Sequence, residues 1–159
     1  MASFTTGTVS EATITAPPEA VWEALSEPSL VAHFTPFLKA VTPRGEEHWV
    51  WELSRIPVLG KSFSFVFTER MTFDEPRRID FTHDPDAGTG PESAGVEGWY
   101  QITPARGGSH LKTSMDITVE LPFPAMTRPA VTTAMRGVIA LMGQRFAHNL
   151  LAHLHAKAL

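Results

Sequence analysis

The sequence has no cysteine among its 159 residues, so it can form no disulfide, no thiolate metal site and no cysteine nucleophile. Charge is also scarce: charged residues are 19% of the chain, and 13 Lys and Arg against 17 Asp and Glu leave a net charge of −4. Nucleic-acid binding needs a basic stripe that neutralises phosphates, whereas the basic pairs here, such as Arg77 with Arg78, are isolated. We therefore expect no nucleic-acid partner.

Long apolar runs are missing too. The densest one, Val138 to Met142, is bounded by glycines and is far shorter than the roughly 20 apolar residues of a membrane span. The first ten residues have neither the basic cluster nor the apolar stretch of a signal peptide. We expect no integral membrane contact and a cytoplasmic location.

The motifs of common catalysts and cofactor sites are absent from the sequence. There is no G-x-S-x-G elbow, no H-E-x-x-H pair and no dinucleotide fingerprint, and the GTGP of residues 88–91 lacks the Lys of a phosphate loop. His148, His153 and His155 have no i, i+4 spacing and no carboxylate close in sequence. We predict no metal and no organic cofactor.

What the chain does have is a composition suited to one globular domain over residues 1–159. Hydrophobic residues are 43%, and a chain of this size can bury roughly 68 to 70% of its unfolded surface. Pro17 and Pro18 end an opening Thr- and Val-rich strand and suit the first turn of a helix, and Pro28 starts a second short helix. The predicted early elements are a strand at 4–15 and helices at 18–27 and 29–34.

From Phe37 to Leu121 the dominant period is two, which predicts strands separated by Pro- and Gly-rich turns. The predicted strands are Leu38–Arg44, Glu47–Arg55, Lys61–Asp74, Arg78–His83, Val96–Thr103 and Ser109–Leu121. Connections this short join antiparallel neighbours. The longest, Asp84 to Gly95, is expected to be a mobile hairpin tip, with a lid as the alternative.

From Arg128 to Lys157 the period becomes 3.6, which predicts one long helix that crosses the sheet. Its apolar stripe, which should face the sheet, contains Val131, Met135, Val138, Met142 and Phe146, continued by Asn149 and His153. Gly137 and Gly143 each cost about 1 kcal/mol relative to Ala inside a helix. We expect a compensating close approach to the sheet or a bend.

The segment ATITAPPEAVWEALSEPSLVAHF (Ala12 to Phe34) resembles the opening of the START-like, or SRPBCC, superfamily. TERMTFDEPRRIDFT (Thr68 to Thr82) and LKTSMDITVELPFPA (Leu111 to Ala125) are similar to later parts of it. The resemblance implies an α+β helix-grip fold, with a seven-stranded curved antiparallel sheet around a long C-terminal helix and two short helices between the first strands. It also implies a cavity used for lipid carriage, hormone binding, or polyketide cyclisation and dehydration, with the polyketide cyclase/dehydrase branch the most similar.

If this fold is correct, aromatic, methionine and aliphatic side chains of the sheet and the long helix converge on a pocket suited to planar apolar ligands. The candidate ligand-binding residues are Trp51, Phe63, Phe65, Phe67, Tyr100, Met115, Ile117, Met135, Val138 and Met142. The alternative for each of them is ordinary core packing, which we favour residue by residue while still expecting a cavity.

Glu69 and His83 are the candidate catalytic residues. Glu69 shares a strand face with Phe67 and Met71, so on the inner face its pKa would be raised and it could act as general acid or base. The alternative, which we favour, places it near the strand's end, at the cavity mouth or paired with Arg70 or another arginine. His83 shares a face with Phe81 and is a possible proton carrier, although a position on the rim is favoured. Glu97, Tyr100 and Gln101 add polar groups whose facing depends on register.

Three functions are compatible with these observations. The first is binding of a small hydrophobic or aromatic molecule, lipid- or polyketide-like, without covalent chemistry. The second is a polyketide aromatase/cyclase-type enzyme that uses the same cavity and an acid or base such as Glu69 or His83. The third is a protein-interaction module in which the cavity is vestigial. The sequence carries no signal for the ligand's identity or for the oligomeric state.

Overall fold

The computed structural model describes residues 2–158. In chain order the elements are β1 (Ala2–Ile14), α1 (Pro18–Ser26), α2 (Pro28–Phe34), β2 (Leu38–Arg44), β3 (His48–Val58), β4 (Lys61–Asp74), β5 (Arg78–His83), β6 (Ala94–Ala105), β7 (Gly108–Leu121) and α3 (Arg128–Leu154). Short 3₁₀ turns lie at Pro85–Ala87 and Ala125–Thr127.

All seven strands form one antiparallel sheet in the order β1-β7-β6-β5-β4-β3-β2. The strands from β2 to β7 pair with their chain neighbours because short turns connect them. β1 instead pairs along its whole length with β7, from Ala2 opposite Leu121 to Ile14 opposite Ser109. The predicted helix-grip architecture is confirmed, with β6 starting two residues before the predicted Val96.

The two short helices close one end of the sheet. Pro18 and Pro28 occupy the first positions of α1 and α2, where the missing amide proton leaves no hydrogen bond unmade. Val21 and Trp22 of α1 and Phe34 of α2 are buried against the sheet and α3. These residues hold α1 and α2 in place.

α3 has 27 residues and is therefore about 40 Å long. It ends at Leu154 rather than at the predicted Lys157, because His155 adopts a left-handed conformation with φ of 51°. The amides of His155 and Ala156 then donate to the carbonyls of Ala152 and Leu151, which satisfies two of the last helical carbonyls. None of the helices within residues 2–158 combines the length and apolar character that crossing a bilayer requires.

Burial along α3 is uneven. Val131 and Met135 are buried near its start and Leu150 near its end, but no residue from 136 to 149 is fully buried. The stripe predicted to face the sheet is therefore only half-buried at Val138, Met142 and Phe146. His153, predicted to continue the stripe, is exposed, although its ring lies 5.5 Å from that of Phe34.

The close approach to the sheet, one of the two expected compensations for the helix glycines, is wrong. A Cβ added at Gly137 or Gly143 would meet no atom within 4 Å, so neither glycine permits a close approach to the sheet. Both residues are exposed on the outer side of α3.

The core divides into two clusters. One joins α1, α2 and the last turns of α3 to the sheet and includes Phe34 and Leu150. The other joins the first turns of α3 to the sheet and includes Val131 and Met135. Trp51 on β3 contacts both clusters and is itself only partly buried. The middle of the sheet's inner face therefore lies between two packed ends.

Candidate functional site

The inner face of β7 is closed at both ends and open in the middle. Ser109 at one end and Val119 and Leu121 at the other are buried. The residues of the same face between them remain accessible to water in part: Leu111, Thr113, Met115 and Ile117. Val96 and Gly98 on the neighbouring β6 are also partly accessible. Together with Trp51 and with Val138 and Met142 of α3, these residues border what we call the sheet–helix cleft.

The predicted ligand-binding residues divide between the cleft and the core. Trp51, Met115, Ile117, Val138 and Met142 are partly accessible and border the cleft. Phe65, Phe67, Tyr100 and Met135 are buried. Phe63 is partly accessible but lies towards the far end of β4, with its ring 5.9 Å from that of Phe123. The Trp51 and Phe67 rings stack with centroids 5.7 Å apart and planes 11° from parallel, which makes a flat aromatic wall.

Glu69 is the buried acid of this face. It is opposite Trp49 in the β3–β4 register, and only 2% of its surface is accessible. Burial raises the pKa of the Glu69 carboxyl well above its ordinary value of 4.5, and the nearby Trp51 indole lowers it in part. The favoured expectation of a rim carboxylate paired with arginine is wrong, since Arg70 pairs with Glu47, 3.0 Å away, on the other face.

Trp51 brings a polar atom to the same place. Its Nε1 is buried, and within residues 2–158 it donates to no acceptor in regular hydrogen-bond geometry. It lies near enough to Glu69 to favour the charged carboxylate, but this proximity falls short of a formed hydrogen bond. An angle or distance outside the regular range weakens a hydrogen bond steeply, so among the described residues Trp51 Nε1 counts as a donor without an acceptor.

Tyr100 completes the polar group of the inner face. Its ring is buried, with the Phe81 ring centroid 5.4 Å away. Burial, and secondly the negative charge of Glu69 when ionised, raise the pKa of the Tyr100 phenol above its ordinary value of 10.0. Tyr100 is therefore a neutral phenol at physiological pH, able to donate or accept a hydrogen bond.

His83 does not join this group. Although it is opposite Glu69 in the β4–β5 register, its Nε2 lies 2.8 Å from Glu92 Oε1. Glu92 also accepts from the amide and the hydroxyl of Thr68, whose side chain points to the outer face because it alternates with Glu69. At the sheet's end the imidazole turns towards the β5–β6 connection, as expected for the favoured position on the rim, so His83 faces away from Glu69.

The remaining polar candidates lie on the exposed surface of the protein, away from the inner face of the sheet. Glu97 and Gln101 are exposed on the outer face, and Gln101 accepts from Arg78 at 3.0 Å. His148 is exposed on α3. Across the part of the chain that the structure describes, no three His, Asp or Glu side chains gather in a way that could hold a metal ion.

Two open depressions occur on the outer surface. One of about 390 Å³ lies beside α1 and α2, next to Trp22 and Glu75, and one of about 150 Å³ lies beside His83 and Glu92. Neither borders Glu69 or Trp51. We prefer the sheet–helix cleft as the candidate site, because it alone combines aromatic walls with buried polar groups.

Sequence reasoning missed three features of this region. Val96 and Gly98 border the cleft through the same alternation that places Tyr100 inside, so the correct register of β6 would have found them. Glu92 lies in the segment expected to be a mobile tip, yet its carboxylate is 2% exposed and fixed to Thr68 and His83. No local pattern marks that contact, since it spans 24 residues.

The geometry is that of a helix-grip protein with a cleft between sheet and helix, and comparisons with known proteins agree on the fold. Residues 5–155 match the family model described as "Polyketide cyclase / dehydrase and lipid transport". The chain belongs to this family. No curated protein sequence matches it.

Solved structures show the same fold. The Zhui aromatase/cyclase from Streptomyces sp. R1128 is 17% identical with a TM-score of 0.69, over 95% of this chain and 94% of that one. A START superfamily protein from Mycobacterium smegmatis is 16% identical with a TM-score of 0.63, over 95% and 97%. The di-domain ARO/CYC StfQ from the steffimycin biosynthetic pathway is 12% identical with a TM-score of 0.66; the match covers 96% of this chain and 51% of that one. Identities this low establish the fold alone.

Proposed function

We propose that the chain binds a small, planar, hydrophobic molecule in the sheet–helix cleft. The observation that carries the proposal is the inner face of β7, which is packed at both ends but accessible from Leu111 to Ile117. A water-accessible apolar surface between a sheet and its helix favours an apolar ligand, because binding removes that surface from water. The family, whose members include polyketide cyclases and lipid transporters, supports a ligand of this kind.

A fluorescence titration tests this proposal. Fatty acids, sterols and flat polyphenolic compounds are added in turn while the emission of the four tryptophans is followed. We expect a saturable change with one class, which is reduced in Trp51→Phe because Trp51 borders the cleft. Trp99→Phe is the matched control, since Trp99 lies on the outer face under the Arg78 guanidinium, 4.2 Å from its ring centroid. A signal that disappears in Trp99→Phe but survives in Trp51→Phe would place the ligand elsewhere.

A second candidate function, an aromatase/cyclase-type activity, is favoured by one observation: Glu69 is a buried acid, and burial raises its pKa well above the ordinary value of 4.5. Such a group can donate a proton to a hydroxyl that leaves as water and then, as carboxylate, take the proton from the adjacent carbon. The protons balance, and the acid is regenerated. The apolar walls would hold a poly-β-ketone chain in a folded arrangement.

The test is to add the protein to a reconstituted polyketide synthase that releases an unreduced poly-β-ketone, and to analyse the products by liquid chromatography and mass spectrometry. An active protein shifts the products towards one cyclised, dehydrated compound. Glu69→Gln should abolish the shift because the amide cannot exchange protons in this way, whereas Glu97→Gln, on the outer face, should retain it. An unchanged product distribution with wild-type protein would leave binding as the function.

A further inference from the structure

Two buried polar groups, the Glu69 carboxyl and the Trp51 indole N–H, lie on the inner face beside the cleft. Within residues 2–158 the Glu69 carboxyl forms no ion pair, and Trp51 Nε1 is a buried donor without an acceptor. Buried polar groups nearly always have partners, and an unmade hydrogen bond costs on the order of 1–3 kcal/mol. A buried donor without an acceptor, beside a buried carboxyl without a cation, is therefore a candidate for contacts that a ligand makes.

The surroundings of Glu69 indicate which form of the carboxyl would meet the ligand. The groups around it include Trp49, Phe67 and Tyr100, none of which carries a positive charge, and His83, opposite it in the β4–β5 register, is bound to Glu92. Arg70, the nearest arginine in sequence, is bound to Glu47. An ionised carboxylate without a cation is costly in such an environment, so the carboxyl remains a carboxylic acid and presents an O–H donor.

The flat wall beside the two donors restricts the shape of the ligand. Trp51 is stacked on Phe67, so its indole face and its N–H belong to the same partly accessible wall. A planar ligand that lies against this wall carries its oxygen substituents at its edge. An indole N–H also points outwards from the edge of its ring, so the two can meet. A ligand carboxylate in that position would be a buried negative charge without a compensating cation, which is costly.

We infer that the Glu69 carboxyl and the Trp51 indole N–H together bind a carbonyl or hydroxyl oxygen of a neutral, planar ligand, and that carboxylate ligands are rejected at this position. This inference rests on the proposed function and adds the chemical class of the ligand. The inferred ligands include aromatic ketones and phenols, and they do not include free fatty acids or aromatic acids.

Three probes of equal shape test the inference: 2-acetylnaphthalene, 2-isopropenylnaphthalene, in which a C=CH₂ replaces the carbonyl, and 2-naphthoate. Binding is measured at pH 7 by equilibrium dialysis with chromatographic quantification, so that the readout does not depend on Trp51. We expect the ketone to bind about tenfold more tightly than the hydrocarbon, the effect of one well-placed buried hydrogen bond. The naphthoate should bind at least about tenfold more weakly than the ketone.

Three variants locate the effect. Glu69→Leu should reduce the ketone's preference to within about twofold of the hydrocarbon, because it removes the carboxyl donor. Glu69→Gln should keep most of it, since the amide still donates, which separates hydrogen-bond donation from acid–base chemistry. Trp51→Phe should weaken the preference while keeping an aromatic wall. Circular dichroism verifies that each variant is folded.

The outcomes are distinguishable. Equal binding of ketone and hydrocarbon by the wild type, tightest binding of naphthoate, or an unchanged preference in both Glu69→Leu and Trp51→Phe would each overturn the inference while leaving a hydrophobic site in the cleft. Failure of all three probes to bind folded wild-type protein would count against both the inference and the proposed function.

Discussion

Glu69 occupies a position on the inner face of the sheet where its neighbours along the strand, Phe67 and Met71, are apolar and buried. Substitution by Leu or Met would suit the packing there at least as well, since a buried polar group without partners lowers stability. The buried carboxyl of Glu69 therefore lowers the stability of the fold, and no ion pair among the described residues offsets this loss. A cost of this kind is typical of functional sites, where local rules of folding are broken for the sake of a ligand or a reaction.

The raised pKa of Glu69 predicts a pH-dependent contribution to stability. In the unfolded chain the carboxyl loses its proton near its ordinary pKa of 4.5, whereas in the folded protein it keeps the proton to higher pH. The native state thus binds more protons in this range, and its free energy of unfolding falls as pH rises. The contribution is fully present below the unfolded pKa and is lost as pH rises through the folded pKa.

Glu69→Gln isolates this contribution, because the amide does not titrate. The free energy of unfolding of the variant, minus that of the wild type, should increase between pH 5 and pH 8 by at most about 1.4 kcal/mol per pH unit. Urea denaturation at four pH values measures it. A difference that stays constant across this range would mean that Glu69 titrates alike in both states.

Glu92 is the second buried carboxylate, and here the contacts explain it. Its side chain is 2% exposed and accepts hydrogen bonds from the amide and hydroxyl of Thr68, with His83 Nε2 2.8 Å away. Glu92→Leu should lower the free energy of unfolding by about 1–3 kcal/mol, because Thr68 loses its acceptors. Glu97→Leu, nearby but exposed, should change it by less than about 0.5 kcal/mol. Equal effects in chemical denaturation would contradict the role assigned to Glu92.

The contrast between these two glutamates shows what the sequence can predict at the scale of residues. The alternation of β4 places Glu69 on the face of Phe67 and Met71, so an inward position is one of two readings of the pattern. The pattern does not reveal whether a cation approaches Glu69 from another strand, so a position on the rim is the other reading. Nothing near Glu92 in sequence indicates Thr68, since a contact between distant segments depends on how the β5–β6 connection folds back.

At the scale of elements, α3 is held at its two ends. Arg128 donates to the carbonyl of Ser3 near its start, and Asn149 donates to the carbonyl of Phe34 near its end. Beyond the helix, the Thr15 amide donates to the carbonyl of Lys157, so the chain's last described residues lie against the end of β1. The middle of α3 lacks comparable anchors, and it is this part that borders the cleft.

The two glycines of α3 give a prediction for that unanchored middle. An alanine at Gly137 or Gly143 would meet open space, and alanine favours a helix over glycine by about 1 kcal/mol. Each substitution should therefore raise the free energy of unfolding by about 0.5–1 kcal/mol, measurable as an increased melting temperature. Gly107→Ala is the matched control: it also meets open space, but φ of 82° disfavours a side chain, so stability should fall. Destabilisation by the α3 substitutions would indicate a role for their flexibility.

Element types follow from the sequence because each has a clear local cause. Pro18 and Pro28 mark the helix starts, the Thr- and Val-rich opening gives β1, the period of two gives the other six strands, and the change of period after Arg128 gives α3. The predicted end of α3, Lys157, lies three residues beyond the observed end at Leu154. The helix ends at a left-handed His155, which has no sequence signature comparable to a glycine. The packing of the α3 stripe was overestimated, because amphipathic periodicity gives the direction of a face but not how tightly it is covered.

For the whole molecule, the sheet and α3 make two packed regions with a less tightly packed space between them. Met135 belongs to one region and Leu150 to the other, while Val138 and Met142 between them are only partly buried. A structure of this kind can retain its fold through its ends while its middle accepts a ligand. Stability and binding should then depend on different positions of the same strand.

Ile117 and Val119 on β7 test this separation directly. They point to the same face two residues apart, but Val119 is buried at the packed end whereas Ile117 is partly accessible at the cleft. Val119→Phe should lower the free energy of unfolding by about 1–3 kcal/mol, because extra atoms are forced into a filled core. Ile117→Phe should cost less than about 1 kcal/mol, because its added atoms extend into the cleft, where they occupy the space of the ligand.

The two variants should therefore lose different properties: Ile117→Phe loses ligand binding, and Val119→Phe loses stability. Ile117→Phe keeps its stability in urea denaturation but loses binding of 2-acetylnaphthalene by at least about tenfold in equilibrium dialysis, because the phenyl ring and the naphthalene compete for one volume. Val119→Phe loses stability but, below its unfolding transition, binds the ketone within about twofold of the wild type. If instead Ile117→Phe is as destabilising as Val119→Phe, the inner face is packed along its whole length, and the cleft is not a site for a ligand.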